Sequence, residues 1–426
     1  MKAKSCNSKV SQPTSKCSED YGSLIPKWFL GIAIVMFLIY YRSPSLFIEP
    51  RFWAEEGQGY FTYAFSHSIF GSLIAPHYGY FGFIPNLGGI LATFAPLELA
   101  PLVTTCLAAL IQLLVSSYVI FCDSPYWDSY PKKLAIACFI QLLCPFECWL
   151  TTVSSQYFLS ILAFFILMEN DTVQMSWLKW PSRIMLSVSV LTSPAVMFLL
   201  PAFIFKSFKT RLREDWLRII IISFGAVIQV TAFVYTSFNA SGQLGGRFDS
   251  SSFNLLKIIF LHFSESMIGS YYLMWFKFFG LAPGIVRIVL TLFTLYLLCL
   301  LIKSFFCKQL HLLGIAFVLL TVPVILLSIG MKSSPRAAFA PAILLIVLMV
   351  YECGKKQNKL FLRGIAACVL SAVLLFGLLT HDMKVYFTNS PLPVWKDEVG
   401  LWRQDSNYKP KIWPSWETGI KLDSKK

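Results

Sequence analysis

The chain has 426 residues, of which 56% are hydrophobic and only 14% charged, with a mean hydropathy of +0.64 and a formal net charge of +14. A soluble domain carries about 25% charged residues to cover its surface, so this composition argues against a water-soluble globular protein. Lys and Arg fall in short segments between apolar runs, with no basic patch interleaved with base-reading groups; that pattern argues against a nucleic-acid partner and marks the segments as cytoplasmic.

Residues 1–27 are polar, rich in Ser and Lys, and read as a cytoplasmic tail. Residues 28–41 are apolar on every face and lack a small-residue cleavage site after them, which predicts a retained first membrane helix. Residues 42–84, rich in aromatics, Gly and His, form a large first outer loop. Helices are predicted at 85–97, 101–121, 134–150, 155–169 and 184–205, five crossings that return the chain to the cytoplasm at the basic stretch 206–218. A helix at 219–237 leads to a second outer loop, 238–280, and helices at 281–302, 312–330, 337–352 and 364–380 follow. About 20 apolar residues span a bilayer; 85–97 and 155–169 are short, and one of them is a candidate re-entrant segment. The expected fold is therefore all-α and polytopic, with about eleven transmembrane helices over 28–380 and an interfacial outer tail, rich in Trp, at 381–426. The 11 Cys lie mostly inside apolar runs, and Cys144 and Cys148, flanking Glu147, read as a packed helix face and not as a zinc site.

Chemistry has few places to sit. Arg51-Phe52-Trp53-Ala54-Glu55-Glu56-Gly57 follows the first helix on the outer side. The adjacent carboxylates Glu55 and Glu56 suit a general base or a divalent-metal ligand, and Trp53 supplies a wall for sugar stacking. A solvated acidic loop with interfacial aromatics fits the same residues equally well. His77 and Tyr78, within Pro76-His77-Tyr78-Gly79-Tyr80, are candidate binders of a polar ligand, and Gln156 of a cavity wall. Lys332 and Arg336 flank a helix start, where free N–H groups and a guanidinium make an anion site; Arg247 is a further candidate cation. Against these stand snorkelling for Lys332, and less readily for Arg336, which begins the span itself, pairing with Asp249 for Arg247, and ordinary hydrogen bonds for His77, Tyr78 and Gln156.

These features, in this order, resemble bacterial members of the GT-C superfamily, polytopic glycosyltransferases that use polyprenyl-phosphate sugars. The resemblance rests on Trp53-Ala54-Glu55-Glu56-Gly57, Pro76-His77-Tyr78-Gly79-Tyr80 with Pro85, Pro335-Arg336-Ala337, Trp402-Arg403 and Ile412-Trp413-Pro414-Ser415-Trp416. The stretches are short but span the chain. Glu56 stands where the family pattern has Asp, and Ala337 where it has Tyr.

The resemblance implies an enzyme of the bacterial inner membrane, with its N-terminus cytoplasmic and its active face periplasmic. It would move a sugar, with inversion, from a polyprenyl-phosphate donor to a cell-envelope glycan or lipid acceptor. Glu56, or else Glu55, would be the general base, and Arg336, with Lys332 or Arg247, would hold the donor phosphate. Some members use a divalent metal and others do not, and the sequence leaves that choice open. The alternative is a polysaccharide flippase or polymerase. A flippase is expected to bury paired charges in several helices and to show repeat symmetry, whereas the predicted helix interiors here are nearly free of charge.

Overall fold

The computed structural model describes residues 21–170, 178–239, 310–330, 335–354, 360–379, 394–413 and 419–422, with scattered positions between 292 and 306. Loop 238–280, with Arg247, lies almost wholly outside the described residues, as do Lys332 and most of the predicted helix 281–302. What is described is almost entirely helical, and it contains four helices long and apolar enough to cross a membrane, or five if one bent pair is a single span.

Helix α1 (Tyr21–Arg42) leads into a short helix α2 (Ser45–Ile48), a π-helical turn (Glu56–Phe61), α3 (Thr62–Ser66) and α4 (Ile69–Ile74). A two-stranded antiparallel hairpin follows, β1 (Pro76–His77) and β2 (Tyr80–Phe81), with His77 opposite Tyr80. Then come α5 (Phe83–Ala92), α6 (Ala100–Phe121), α7 (Tyr130–Leu142), α8 (Ser155–Met168), α9 (Lys179–Thr192), α10 (Leu200–Thr210) and α11 (Arg213–Asn239). Further along the chain come α12 (His311–Gly330), α13 (Phe339–Gly354), α14 (Leu360–Leu379) and α15 (Trp395–Gln404). The span Arg336–Gly354 is 83% buried, against 28% for Ile25–Arg42 and for Arg213–Phe238. α13 is thus the central helix. α1 and α11 turn apolar residues such as Phe37, Phe224 and Val227 outward, which suits a lipid surround and would be an aggregation liability in water.

Contacts define two ends of the bundle. At one end, Gly31 of α1 faces Ile120 of α6 and Tyr130 of α7, and Lys133 pairs with Asp123. At the other, Arg42 closes α1 by donating to the carbonyls of Gln141 (2.9 Å) and Cys144 (2.6 Å) and stacking over Trp149, a cation satisfying orphan helix-end acceptors. The first may be called the basic end and the second the loop end. α6 therefore runs from loop end to basic end, α7 returns, and α8 descends from Ser155 to Glu169. These directions are opposite to those implied by counting 85–97 as a crossing.

The reason is α5. Its ten residues extend about 15 Å, half of a hydrocarbon core of about 30 Å. Contacts along its length are to loop-end groups: Ile84 N–H donates to the Thr192 hydroxyl, Asn86 donates to the carbonyls of Leu73 and Ala75, and Gly88 lies against Thr152. It belongs to the loop assembly. A Cβ on Gly89 would stand 2.7 Å from the Tyr60 carbonyl oxygen, a backbone atom that cannot step aside. Gly89→Ala is expected to lower stability by about 1–3 kcal/mol through overpacking, read as a lower melting temperature of the purified protein in detergent.

The predicted helix 184–205 is not one helix. α9 and α10 are bent by 115° at Ser193-Pro194. Ser193 is extended (φ −118°, ψ 113°), as expected of a residue preceding proline. Both arms begin and end at the basic end: Arg183 of α9 forms a bidentate pair with Glu214 at the start of α11 (2.9 and 2.5 Å), and Lys206 of α10 lies 3.4 Å from Asp215. The unit is a helical hairpin whose tip, at Thr192 and Ser193, reaches α5 and α8. The predicted helix 134–150 also stops early, at Leu142, ahead of Pro145, and Cys144 and Cys148 lie buried beyond its end.

The expectation of nearly charge-free helix interiors does not hold at the basic end. Arg218, fully buried, bonds Glu169 at 2.8 Å, and the Tyr118 hydroxyl donates to the same carboxylate at 3.1 Å. The Lys206 ammonium donates to the Glu169 carbonyl at 2.9 Å, and Asp215 sits between Lys206 and Arg218.

Candidate functional site

Glu55 and Glu56 enter a π-helical turn whose glycines allow close approach. A Cβ on Gly57 would lie 2.9 Å from that of Phe52, and one on Gly59 would meet the Tyr78 ring. π-turns recur at functional sites because the extra residue re-aims side chains. Here the turn sends the two carboxylates to different fates.

Glu56 is 2% exposed. Its Oε1 accepts from the Thr152 N–H (2.8 Å) and the Thr152 hydroxyl (2.5 Å), and its Oε2 accepts from the Trp53 N–H at 3.5 Å. Burial pushes its pKa above the usual carboxylate value, and the Thr152 and Trp53 hydrogen bonds oppose that shift. A cavity of about 20 Å³ beside it, bounded by Arg51, Trp53, Thr105 and Trp149, holds little more than one water. Glu56 was the preferred general base on sequence grounds; its geometry is that of a latch tying the loop to the α7–α8 connection. Glu55 is half-exposed. Its charge acts on Tyr60 and on Arg336.

Arg336 opens the central helix through a 3-10 turn (Pro335–Ala338), and its Nε stands 3.7 Å from Glu147. Arg336 and Glu147 both act electrostatically on Tyr157, and Tyr80 acts on both Tyr157 and Tyr60. The loop end thus gathers Glu55, Tyr60, Tyr80, Tyr157, Arg336 and Glu147 within electrostatic reach of one another. Gln156 precedes Tyr157 in the first turn of α8. His77 stacks edge-on between Tyr60 (4.7 Å) and Tyr63 (5.0 Å), and Tyr78 sits at the hairpin turn with positive φ (55°).

Trp53 pairs with Trp413 in a parallel bridge, their rings 4.2 Å apart, while Ala54 N–H donates to the Trp413 carbonyl at 2.7 Å and Trp413 N–H to the Phe52 carbonyl at 3.2 Å. Trp395 stacks on Phe52 and donates to the Leu97 carbonyl, and Arg403 pairs with Glu98. Phe52, Phe61, Trp395, Val399, Ile412 and Ile420 form a second apolar core. The tail therefore caps the acidic loop on its own end of the bundle.

Glu147, Thr152 and Tyr60 belong to the candidate site and were not singled out by the sequence. Glu147 carried a signal, an acid inside an apolar stretch, which in a membrane protein points to function by default. Among the described residues, no three His, Cys, Asp or Glu side chains converge as metal ligands, and both Glu56 oxygens accept from protein donors.

Burial, with His67 adding to it, lowers the His77 pKa to about 4. The unfolded ring, with a pKa of about 6.5, binds a proton that the folded ring refuses, so this contribution to stability is complete above about pH 6.5 and is lost as pH falls toward 4. Between pH 7 and pH 4.5 the protein should lose about 2–3 kcal/mol from this group, and His77→Phe, which keeps the ring stack, should flatten that part of a melting-temperature profile.

No family model matches the chain, and no curated protein sequence matches it.

Proposed function

We propose that the protein is a membrane glycosyltransferase acting at the loop end, moving a sugar from a polyprenyl-phosphate donor to a cell-envelope glycan or lipid acceptor. The observation that supports the proposal is that the half-exposed Glu55 and the Arg336–Glu147 pair share the loop end of the bundle, where Trp413 of the tail packs on Trp53 of the acidic loop. It offers a base, a cation and an aromatic wall at one place, which is what a lipid-linked donor and a polar acceptor require. In the proposed step, Glu55 takes the acceptor hydroxyl proton as that oxygen attacks the anomeric carbon. The bond from that carbon to the phosphate oxygen breaks with inversion, and Arg336, released from Glu147, steadies the departing polyprenyl phosphate. Glu56 and Thr152 hold the loop in register, and Trp53, Tyr78, His77 and Gln156 line the approach.

We further infer a bacterial inner-membrane location with the basic end cytoplasmic and the loop end periplasmic. Of the eleven crossings expected from sequence, 85–97 and 184–205 become half-crossings, which leaves nine and keeps the parity. A second reading, a flippase or other envelope-glycan transporter, draws support from the buried charge cluster around Arg218 and from the helical hairpin α9–α10.

Deleting the synthase that makes the polyprenyl-phosphate sugar in the same cell tests the donor. Under the transferase proposal, mass spectrometry of the envelope glycan should show the sugar modification lost whether or not this protein is expressed. Continued modification would rule out that donor.

A further inference from the structure

A half-open cavity of about 620 Å³ lies at the basic end, remote from the acidic loop. Its size falls within the range of about 300–1,000 Å³ typical of small-ligand sites. Its walls are apolar: Tyr126, Leu167 and Met168 from α8 and the turn before α7, Phe205 from α10, Leu312 from α12 and Tyr351 from α13. Its polar lining is Glu169, Asn170, Lys206, Lys209 and Thr210, with the Glu169 carboxylate held by Arg218 and Tyr118.

The charges there can be sorted. Arg183, Lys206 and Arg218 are matched by Glu214, Asp215 and Glu169 in the buried cluster. The Lys206 ammonium is turned inward, toward the Glu169 carbonyl and Asp215, so it holds the wall and contributes little net charge to the cavity. Lys209 is different. It is exposed at the cavity mouth, it pairs with no acidic side chain among the described residues, and the exposed Arg211 and Arg213 follow it. The cavity thus has a cationic lip and an apolar interior. Beside it, Phe205 and Phe208 are 41% and 66% exposed on α10, which places the opening against lipid. A neutral apolar molecule would leave the lip unused, and a soluble polar anion would leave the aromatic and leucine walls unused.

We propose that this cavity is a binding site for an anionic phospholipid of the leaflet at the basic end, with its phosphate at Lys209 and the first segments of its chains against Leu167, Phe205, Leu312 and Tyr351. The phosphate needs only a point-charge donor, which lysine provides. The site lies at the opposite end of the bundle from the proposed sugar-transfer site and does not depend on that function. It also gives the α8–α10–α12 junction a partner that ties it to membrane composition.

The test uses the full chain in nanodiscs of phosphatidylglycerol or phosphatidylcholine, with retained lipid counted by native mass spectrometry after release into detergent. Wild type should retain phosphatidylglycerol about tenfold over phosphatidylcholine. Lys209→Glu, an exposed change outside the buried cluster, should remove most of that preference. Leu312→Trp, which fills the cavity and leaves the charges alone, should weaken retention of both lipids. Equal retention of the two lipids by wild type would overturn the proposal, as would unchanged phosphatidylglycerol retention in both variants. A third arm adds inorganic phosphate at millimolar concentration. Failure to displace the lipid supports the proposal, and full displacement would reassign the lip to free phosphate and overturn the lipid assignment.

Discussion

Under the proposed function, Glu55→Gln is expected to lower sugar transfer by about 10²–10⁴-fold while leaving expression and melting temperature unchanged. The side chain is half-exposed, so an amide of equal size fits without strain. What it loses is the ability to take a proton from the acceptor hydroxyl. Glu56→Gln should behave in the opposite way. Glu56 accepts from the Thr152 N–H and hydroxyl and from the Trp53 N–H; an amide can accept on one atom only, and its nitrogen would face the N–H donors on the other side, with the Thr152 hydroxyl the acceptor it could reach, at a cost of about 1–3 kcal/mol. That variant should melt lower, and the fraction that folds should keep activity within about tenfold of wild type. Membrane fractions of both variants, assayed with the lipid-linked donor and normalised to folded protein, decide the matter. Full activity in Glu55→Gln would sink the assignment of the base. A dead but fully stable Glu56→Gln would return the role to Glu56.

The motif Trp53-Ala54-Glu55-Glu56-Gly57 marks the loop and its acidic character, but an adjacent pair of residues cannot reveal which side chain faces in. That is fixed by Thr152, 96 residues away, and no local pattern carries such a contact. The long apolar runs α1, α6 and α11 were legible because a span of that length has one physical use. α5 was not, since ten apolar residues serve equally well as half a span or as the core of a loop assembly, and only the partners at its two ends decide. The hairpin α9–α10 was signalled by Pro194, whose neighbour Ser193 must leave the helical region; hydropathy alone passes over such a break. The tail was recognised as aromatic and interfacial, but its pairing with the acidic loop joins Trp413 to Trp53 across nearly the whole chain. Arg336 stood out as a cation at the start of an apolar helix, and Glu147, its partner, was visible in the same way and was read only as part of a cysteine pair.

Arg218→Leu is expected to have the largest effect on folding of any change considered. Arg218 is fully buried and donates to Glu169 (2.8 Å) and to the Ile166 carbonyl (3.3 Å), with Asp215 at 3.8 Å. Its removal leaves Glu169 and Asp215 buried with one cation fewer between them. Breaking a buried pair from one side costs about 3–5 kcal/mol, because the remaining charge has neither water nor partner. The same ledger predicts that removing both charges is far milder, since well-packed apolar replacements of a buried pair are often neutral. Arg218→Leu with Glu169→Leu should therefore recover much of the loss, held back by the Tyr118 hydroxyl, which then has no acceptor. Size-exclusion profiles of the detergent-solubilised protein after heating give the order wild type, then double variant, then Arg218→Leu. A single variant that melts within about one degree of wild type would mean that water reaches the cluster from the cavity beside Lys206, and the charges there would then be solvated, not paired. The order of the three curves thus reports on the dryness of the basic end, the property on which the proposed lipid-occupied cavity depends.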